Sequence, residues 1–371
     1  MTKRLAFAHF CSAARREGAL AFCLALCTLG LGLSGSAREP SFTTIDVTGA
    51  STTYAVAINP SGTIVGYYAT SGVHHGYVRA PDGTITPFDA TGAGTLYGQG
   101  TVPYGLNPEG AIVGSYYNSS FELYPFLRAP DGTFTPFTTL YTYAVAINPE
   151  GTIAGWYNDV SAVAHGYVRA PDGTVTPIDA PWAGTGADEG TSVAALNPAG
   201  AITGEYIDAN HMRHGYVRDR HGRFTRFDAR RDVPSGGWGT MPTSINPWGA
   251  IAGIFIDATS AYHGFVRDIF RRIRTFDAPD AGTGLFQGTY ALAINPQGVV
   301  TGYYKDANNV SHGFVRDIFG RIRTFDDPDA CSSGPSCSNR GTFPVSINPA
   351  GVIVGSYTDA GYVSHGFVLT P

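Results

Sequence analysis

Residues 54–68 read Tyr-Ala-Val-Ala-Ile-Asn-Pro-Ser-Gly-Thr-Ile-Val-Gly-Tyr-Tyr. Two short runs rich in Val, Ile and Tyr flank Asn59-Pro60-Ser61-Gly62. Pro presets φ at the second turn position and Gly accepts the positive φ that often follows, so the tetrad is a tight corner between two strands. A loop follows, then His75-Gly76-Tyr77-Val78-Arg79, a second corner at Pro81-Asp82-Gly83, and a last run, Thr84-Ile85-Thr86-Pro87-Phe88-Asp89. Four strands joined in sequence order predict an antiparallel meander.

The unit recurs. Ile/Leu-Asn-Pro occurs seven times, with asparagines at Asn59, Asn107, Asn148, Asn197, Asn246, Asn295 and Asn348 spaced by 48, 41, 49, 49, 49 and 53 residues. A period near 49 with four strands per unit is that of a propeller blade. The seventh copy stops at His365-Gly366-Phe367-Val368 without a fourth strand, and Phe42-Thr43-Thr44-Ile45-Asp46 is a fourth strand without a copy. The expectation is therefore an all-β fold: a seven-bladed β-propeller of four-stranded antiparallel blades, its ring closed by the N-terminal strand pairing with the last blade. Residues 38–371 read as that single domain. Closure hides sheet edges that an open array would have to cap.

Composition agrees. Gly and Pro number 48 and 24 among 371 residues, Tyr and Phe 21 each, and charged residues are 14 %. Gly and Pro break helices, aromatics fit strands, and the apolar content excludes a disordered chain.

Residues 1–37 have the three parts of a signal peptide. Lys3, Arg4, Arg15 and Arg16 precede an apolar run from Ala19 to Leu33, and Gly35-Ser36-Ala37 supplies the small-residue exit. Cleavage after Ala37 would leave 20 Lys+Arg against 28 Asp+Glu, a net of −8, with Lys305 the only lysine. The expected location is secreted or periplasmic. A net-acidic chain with no basic stretch is not expected to bind nucleic acid. No second apolar run is long enough to span a membrane, so no membrane partner is expected after cleavage, and the chain is expected to be a monomer. Cys331 and Cys337 remain as a close, isolated pair, which an oxidising compartment would join as a disulfide.

The His-Gly-Phe/Tyr-Val strand, the Phe-Asp end strand and Ile-Asn-Pro-x-Gly-x-Ile-x-Gly-x-Tyr together resemble the repeat of the HAF family of putative extracellular bacterial proteins. The resemblance covers nearly all of residues 41–371, with Gly where the family name has Ala. It implies secretion and a propeller-like fold, and no particular reaction.

Six copies carry His before Gly-Tyr/Phe. His75, His165, His214, His263 and His312 precede Asp89, Asp179, Asp228, Asp277 and Asp326 by 14 residues, and ring closure would pair His365 with Asp46. The second copy has Tyr124 and Thr138 instead, losing both partners together. That pattern predicts structural His–Asp tethers between adjacent strands, because a lone buried carboxylate is costly. Six equal copies do not make an asymmetric catalytic constellation. Loops such as Asp277–Gly282 carry oxygen ligands but lack the dense spacing of a calcium site. No metal, cofactor or catalytic residue is expected.

Both tight corners of a unit should share one face. The other face should carry longer, variable connections, within a unit before His-Gly and between units after Asp. There the copies differ most: Trp182 and Asp188-Glu189 after the third, Arg230-Arg231 and Trp238 after the fourth, and the Cys331–Cys337 insertion after the sixth. Trp182 and Trp238, ringed by Asp188, Glu189, Arg230 and Arg231, form the candidate ligand-binding patch. Two functions fit: a secreted binding or scaffold module for a glycan or extracellular protein, or an exported polysaccharide lyase or glycosidase. A glycosidase needs a spaced carboxylate pair, and adjacent Asp188 and Glu189 would point apart in a strand. Binding is the favoured reading.

Overall fold

The computed structural model describes residues 40–137, 142–229 and 239–371; the expected signal segment lies outside them. Among the described residues there are 28 strands, one short 3-10 turn at Pro335–Cys337 and no α-helix. The fold is all-β.

Strands follow one another as meanders. In the first repeat they are Thr52–Ile58, Ile64–Thr70, Val73–Arg79 and Ile85–Phe88, paired antiparallel in that order. In the fourth they are Gly190–Leu196, Ile202–Ile207, Arg213–Arg218 and Phe224–Phe227. Single parallel bridges such as Ala164↔Gly190 and Arg213↔Gly239 tie the third strand of one repeat to the first strand of the next. The strand Ser41–Ile45 pairs antiparallel with the last strand, Ser364–Thr370, from Ser41↔Thr370 to Ile45↔Gly366. Core clusters lie between neighbouring repeats. One of them joins Ala55, Ile58 and Ile64 of the first repeat to Val354 and Val368 of the seventh.

The Asn-Pro corner does more than turn the chain. Gly62 has φ 86° and its N–H donates to Asn59 O at 3.1 Å. The Asn59 side chain is buried: Oδ1 accepts from Thr63 N at 2.9 Å, and Nδ2 donates to Asn107 O at 3.3 Å, in the next repeat. The same reach joins Asn107 to Asn148, Asn197 to Asn246, Asn246 to Asn295 and Asn295 to Asn348 at 3.2–3.4 Å, and Asn348 to Asn59 at 3.5 Å.

Each first strand carries a one-residue bulge at the same place, at Val56, Tyr104, Val145, Ala194, Thr243, Leu292 and Val345. Bulges bend and twist a strand and re-aim a side chain. Ala194, Thr243, Leu292 and Val345 accordingly line one common cavity. The residue two before the bulge turns its carbonyl over the glycine of the second strand, and in repeats one, three and four a third-strand tyrosine donates to it, as Tyr167 Oη does to Tyr143 O at 3.1 Å. A Cβ on Gly155 would lie 1.9 Å from that oxygen, so the second-strand glycine is a close approach.

One expectation is corrected. The connection before His-Gly is not long and variable but a third tight corner, opened by an Asp or Asn in repeats two to seven. Asp159 Oδ1, for instance, accepts from Ser161 N and Val163 N at 2.8 and 2.9 Å. A short polar side chain that caps its own turn makes a longer loop unnecessary. Length and variation are left to the connections between repeats.

Candidate functional site

A cavity of about 710 Å³ lies on the side of the inter-repeat loops, where the first strands of repeats four to seven face one another. Most of its wall is what the repeat supplies everywhere: bulge residues, small residues and the starts of third strands. Two charges stand out. Glu205 occupies a second-strand position held elsewhere by Tyr67, Ser115, Trp156, Ile254, Tyr303 and Ser356; Arg213 starts a third strand where other repeats have His74, Leu123, Ala164, Tyr262, Ser311 and Ser364. Ile207 pairs with Arg213 and Glu205 with Gly215, so the two side chains share a face one step apart. They form an ion pair, Arg213 Nη1 donating to Glu205 Oε1.

The pair is largely withdrawn from water, with side chains 16 % and 24 % exposed. Glu205 Oε2 is buried and has no hydrogen-bond partner among the described residues. Burial pushes the Glu205 carboxyl up from its usual range, and the Arg213 charge opposes that rise without cancelling it. Beside the pair, Trp156 lines the same cavity, its ring stacked on Tyr143 at 4.5 Å. Ser192 and Met241 complete this wall. The arrangement offers an acceptor, a fixed multidentate donor and a held indole plate.

The expected patch is divided. Asp188 and Glu189 both line the cavity. Asp188 is exposed at its rim in the left-handed region, φ 63°. Glu189 is buried, and its Oε2 accepts from Gly186 N at 2.6 Å. Gln99 and Gln287 make the same loop bond, to Leu96 N and Gly284 N, so Glu189 is first a loop staple. Trp182 is not among the lining residues: it packs on Tyr206 at 5.8 Å, with the Arg226 guanidinium 5.4 Å from its ring. Arg230, Arg231 and Trp238 lie outside the described residues. Cys331 and Cys337 are disulfide-bonded and pack with Val310, away from the cavity wall.

The histidines stand in a regular array along the third strands of the repeats. His75, His165, His214, His263, His312 and His365 place Nδ1 at 2.8–3.1 Å from Asp89, Asp179, Asp228, Asp277, Asp326 and Asp46. Each ring also stacks on a cross-strand aromatic, Phe255 on His263 at 4.6 Å for example. Nε2 of five of them faces the corner aspartate as well, nearest at His263–Asp257, 3.3 Å. The expectation of a buried carboxylate is corrected: these six aspartates are 32–54 % exposed, because the fourth strand is the outer edge of its sheet. In the second repeat Tyr124 stacks on Tyr116 instead and its hydroxyl donates to Glu122 at 3.3 Å; Thr138 lies outside the described residues.

Reading the chain as a string missed Glu205 and Arg213. Aligning the seven repeats in columns finds them, since each is the one charged residue in an otherwise uncharged or histidine-bearing column.

No protein-family model matches this chain, and no curated protein sequence does. Solved structures do resemble it. Virginiamycin B lyase from Staphylococcus aureus superposes with TM-score 0.56 at 11 % identity, over 90 % of this chain and 100 % of that one. The β-propeller domain of the Trilobed protease from Pyrococcus furiosus gives TM-score 0.55 at 9 % identity, over 86 % and 94 %. A lectin from Burkholderia pseudomallei gives TM-score 0.52 at 10 % identity, over 87 % and 99 %. At such identities the likeness speaks for the fold alone: this chain has a β-propeller fold.

Proposed function

We propose that the chain is an exported, closed seven-bladed β-propeller that binds a glycan in the cavity at Glu205, Arg213 and Trp156. Seven sequence repeats, the pairing of Ser41–Ile45 with Ser364–Thr370 and the Asn348–Asn59 link support the closed ring. The repeat's resemblance to the HAF family and the three-part N-terminus support export.

The Glu205–Arg213 pair carries the functional reading. Withdrawing two charges from water costs free energy that their mutual attraction need not repay, and here one carboxylate oxygen, Glu205 Oε2, has no hydrogen-bond partner among the described residues. Six other repeats build the same position without a charge, so the fold does not require this pair. A sugar hydroxyl supplies what that oxygen lacks. One hydroxyl donates to Glu205 Oε2, a neighbouring oxygen accepts from Arg213, and a C–H face of the ring lies on Trp156. A protein partner would need the outer loops rather than this recess.

The elevated Glu205 carboxyl also favours a second reading, in which it serves as a general acid. A glycan-array screen with the purified chain tests the first. Binding to defined oligosaccharides without release of shorter products supports it. Product formation moves the chain to the lyase or glycosidase class, and failure to bind any glycan overturns both.

A further inference from the structure

The hairpins made by the third and fourth strands split the molecule in two. In repeats one to three, residues 79–88, 128–137 and 169–178 each hold one arginine and one aspartate, net zero. In repeats four and five, residues 218–227 and 267–276 each hold four arginines and one aspartate, net +3; residues 316–325 of repeat six hold three and one, net +2. Thirty residues of a chain with net charge −5 thus carry +8. The composition of the whole chain conceals this, because acids elsewhere outweigh it.

The three hairpins are neighbours. Arg267 lies 5.0 Å over the Phe227 ring and Arg316 4.8 Å over the Phe276 ring, each reaching back to the preceding repeat. Between the first two, Arg226, Arg267 and Arg271 line a cavity of about 510 Å³ in which Asp228 is the one acid. Arg267 and Arg316 are buried, 6 % and 8 % exposed, and Arg316 Nε has no hydrogen-bond partner among the described residues. Arg271 adds like charge beside Arg267, and Arg274 beside Arg316, each opposed in part by one acid, Asp268 and Asp317. Repulsion of this kind is relieved by an anion.

The corners of the same hairpins change character too. Pro-Asp-Gly in repeats one to three gives way to Ile269-Phe270 and Ile318-Phe319, 54 %, 72 %, 54 % and 78 % exposed. Protection of an outer sheet edge accounts for one arginine per fourth strand, Arg226, Arg274 and Arg323, as a proline, Pro87, Pro136 or Pro177, does in each of the first three repeats. It does not account for exposed Ile-Phe tips. A soluble polyanion would meet the arginines and leave the tips in water, whereas an anionic bilayer satisfies both, phosphates at the arginines and tips among the acyl chains.

We infer that the corner face of repeats four to six docks on an anionic lipid surface through Phe270, Phe319 and the arginines around them. The face is the one opposite the inter-repeat loops, so the glycan cavity would face away from the lipid.

Vesicle co-sedimentation tests this with the full chain, using phosphatidylcholine alone and phosphatidylcholine with phosphatidylglycerol. Binding should require phosphatidylglycerol, and the triple variant Arg271→Gln, Arg274→Gln, Arg323→Gln should weaken it about a hundredfold, roughly fivefold for each charge lost. Phe319→Trp places a local probe on one tip; brominated acyl chains should quench it beyond the quenching of the parent chain. The exposed positions leave folding intact, which thermal melts check. Indifference to phosphatidylglycerol, a triple variant that binds as the parent does, or an unquenched Trp at position 319 on bound protein would each overturn the inference. Arginine-dependent capture by dextran sulfate with the tip unquenched would assign the face to a soluble polyanion instead.

Discussion

The side-chain amide of Asn348 donates to the main-chain carbonyl of Asn59, 289 residues earlier, at 3.5 Å. It repeats the step by which Asn246 reaches Asn295 and Asn197 reaches Asn246, each at 3.2 Å. The device that links consecutive repeats thus also links Asn348 to Asn59, and Ser41–Ile45 pairs with Ser364–Thr370. Deleting residues 41–47 strips the last repeat of its fourth strand and removes Ile45, 1 % exposed in the core, together with the Asp46 partner of His365. The melting temperature should fall by many degrees. An unchanged melt would mean that this strand does not complete the ring.

The asparagine link makes a sharper prediction at Asn246. Its Oδ1 accepts from Trp248 N and Ala250 N while Nδ2 donates to Asn295 O. Asn246→Ala loses both roles and should cost about 2 kcal/mol, the scale for unpaired buried polar groups. Asn246→Asp keeps the turn's acceptor but sets a carboxylate against a carbonyl. It should be the less stable of the two at pH 7 and recover in acid, where a protonated carboxyl can donate. Chemical denaturation at two pH values compares them; equal stability at both would show that the Nδ2 bond is dispensable.

His263 bonds Asp277 through Nδ1 at 2.9 Å and faces Asp257 through Nε2 at 3.3 Å. The bond to Asp277 raises its pKa above the usual 6.5, against the opposing effect of burial. A raised folded-state pKa means that the stabilisation is fully present below about pH 6.5 and is lost as pH climbs through the folded value. His263→Ala should therefore cost about 1 kcal/mol near pH 6 and less near pH 9, a modest figure because Asp277 is half exposed. In a double-mutant cycle Asp277→Ala should be less than additive with it. A pH-independent cost with strict additivity would show that the two do not interact.

Trp182 is placed by packing rather than by the cavity. Its contacts are Tyr206, itself stacked on His214, and the Arg226 guanidinium. Trp182→Ala should lower stability by about 1–2 kcal/mol, as loss of a partly buried aromatic does, and leave glycan affinity unchanged. A drop in affinity with an unchanged melt would restore Trp182 to the site.

Much of this molecule is written in its columns. The meander, both turn motifs, the positive φ at Gly62 and the pairing of His263 with Asp277 follow from residue types at fixed spacing. Other features leave no mark in a single copy. The bulge at Thr243 adds no residue relative to other repeats, because every first strand has one. Asn246 reads as a turn former, since nothing local reveals that its amide reaches the next repeat. Asp159 looks like part of a long loop until its carboxylate is seen to cap a five-residue corner. Glu205 and Arg213 read as ordinary surface charges in the linear string. Only the register of their strands puts both on the inner wall.

Isothermal titration of an array-positive oligosaccharide into the parent chain and the double variant Glu205→Gln, Arg213→Gln decides whether the cavity holds the ligand. The double change removes both charges together and so avoids stranding either one. The melting temperature should be unchanged or higher and the affinity reduced at least tenfold, the scale of one lost charged hydrogen bond. Undiminished affinity in a folded double variant would contradict it and place the ligand elsewhere.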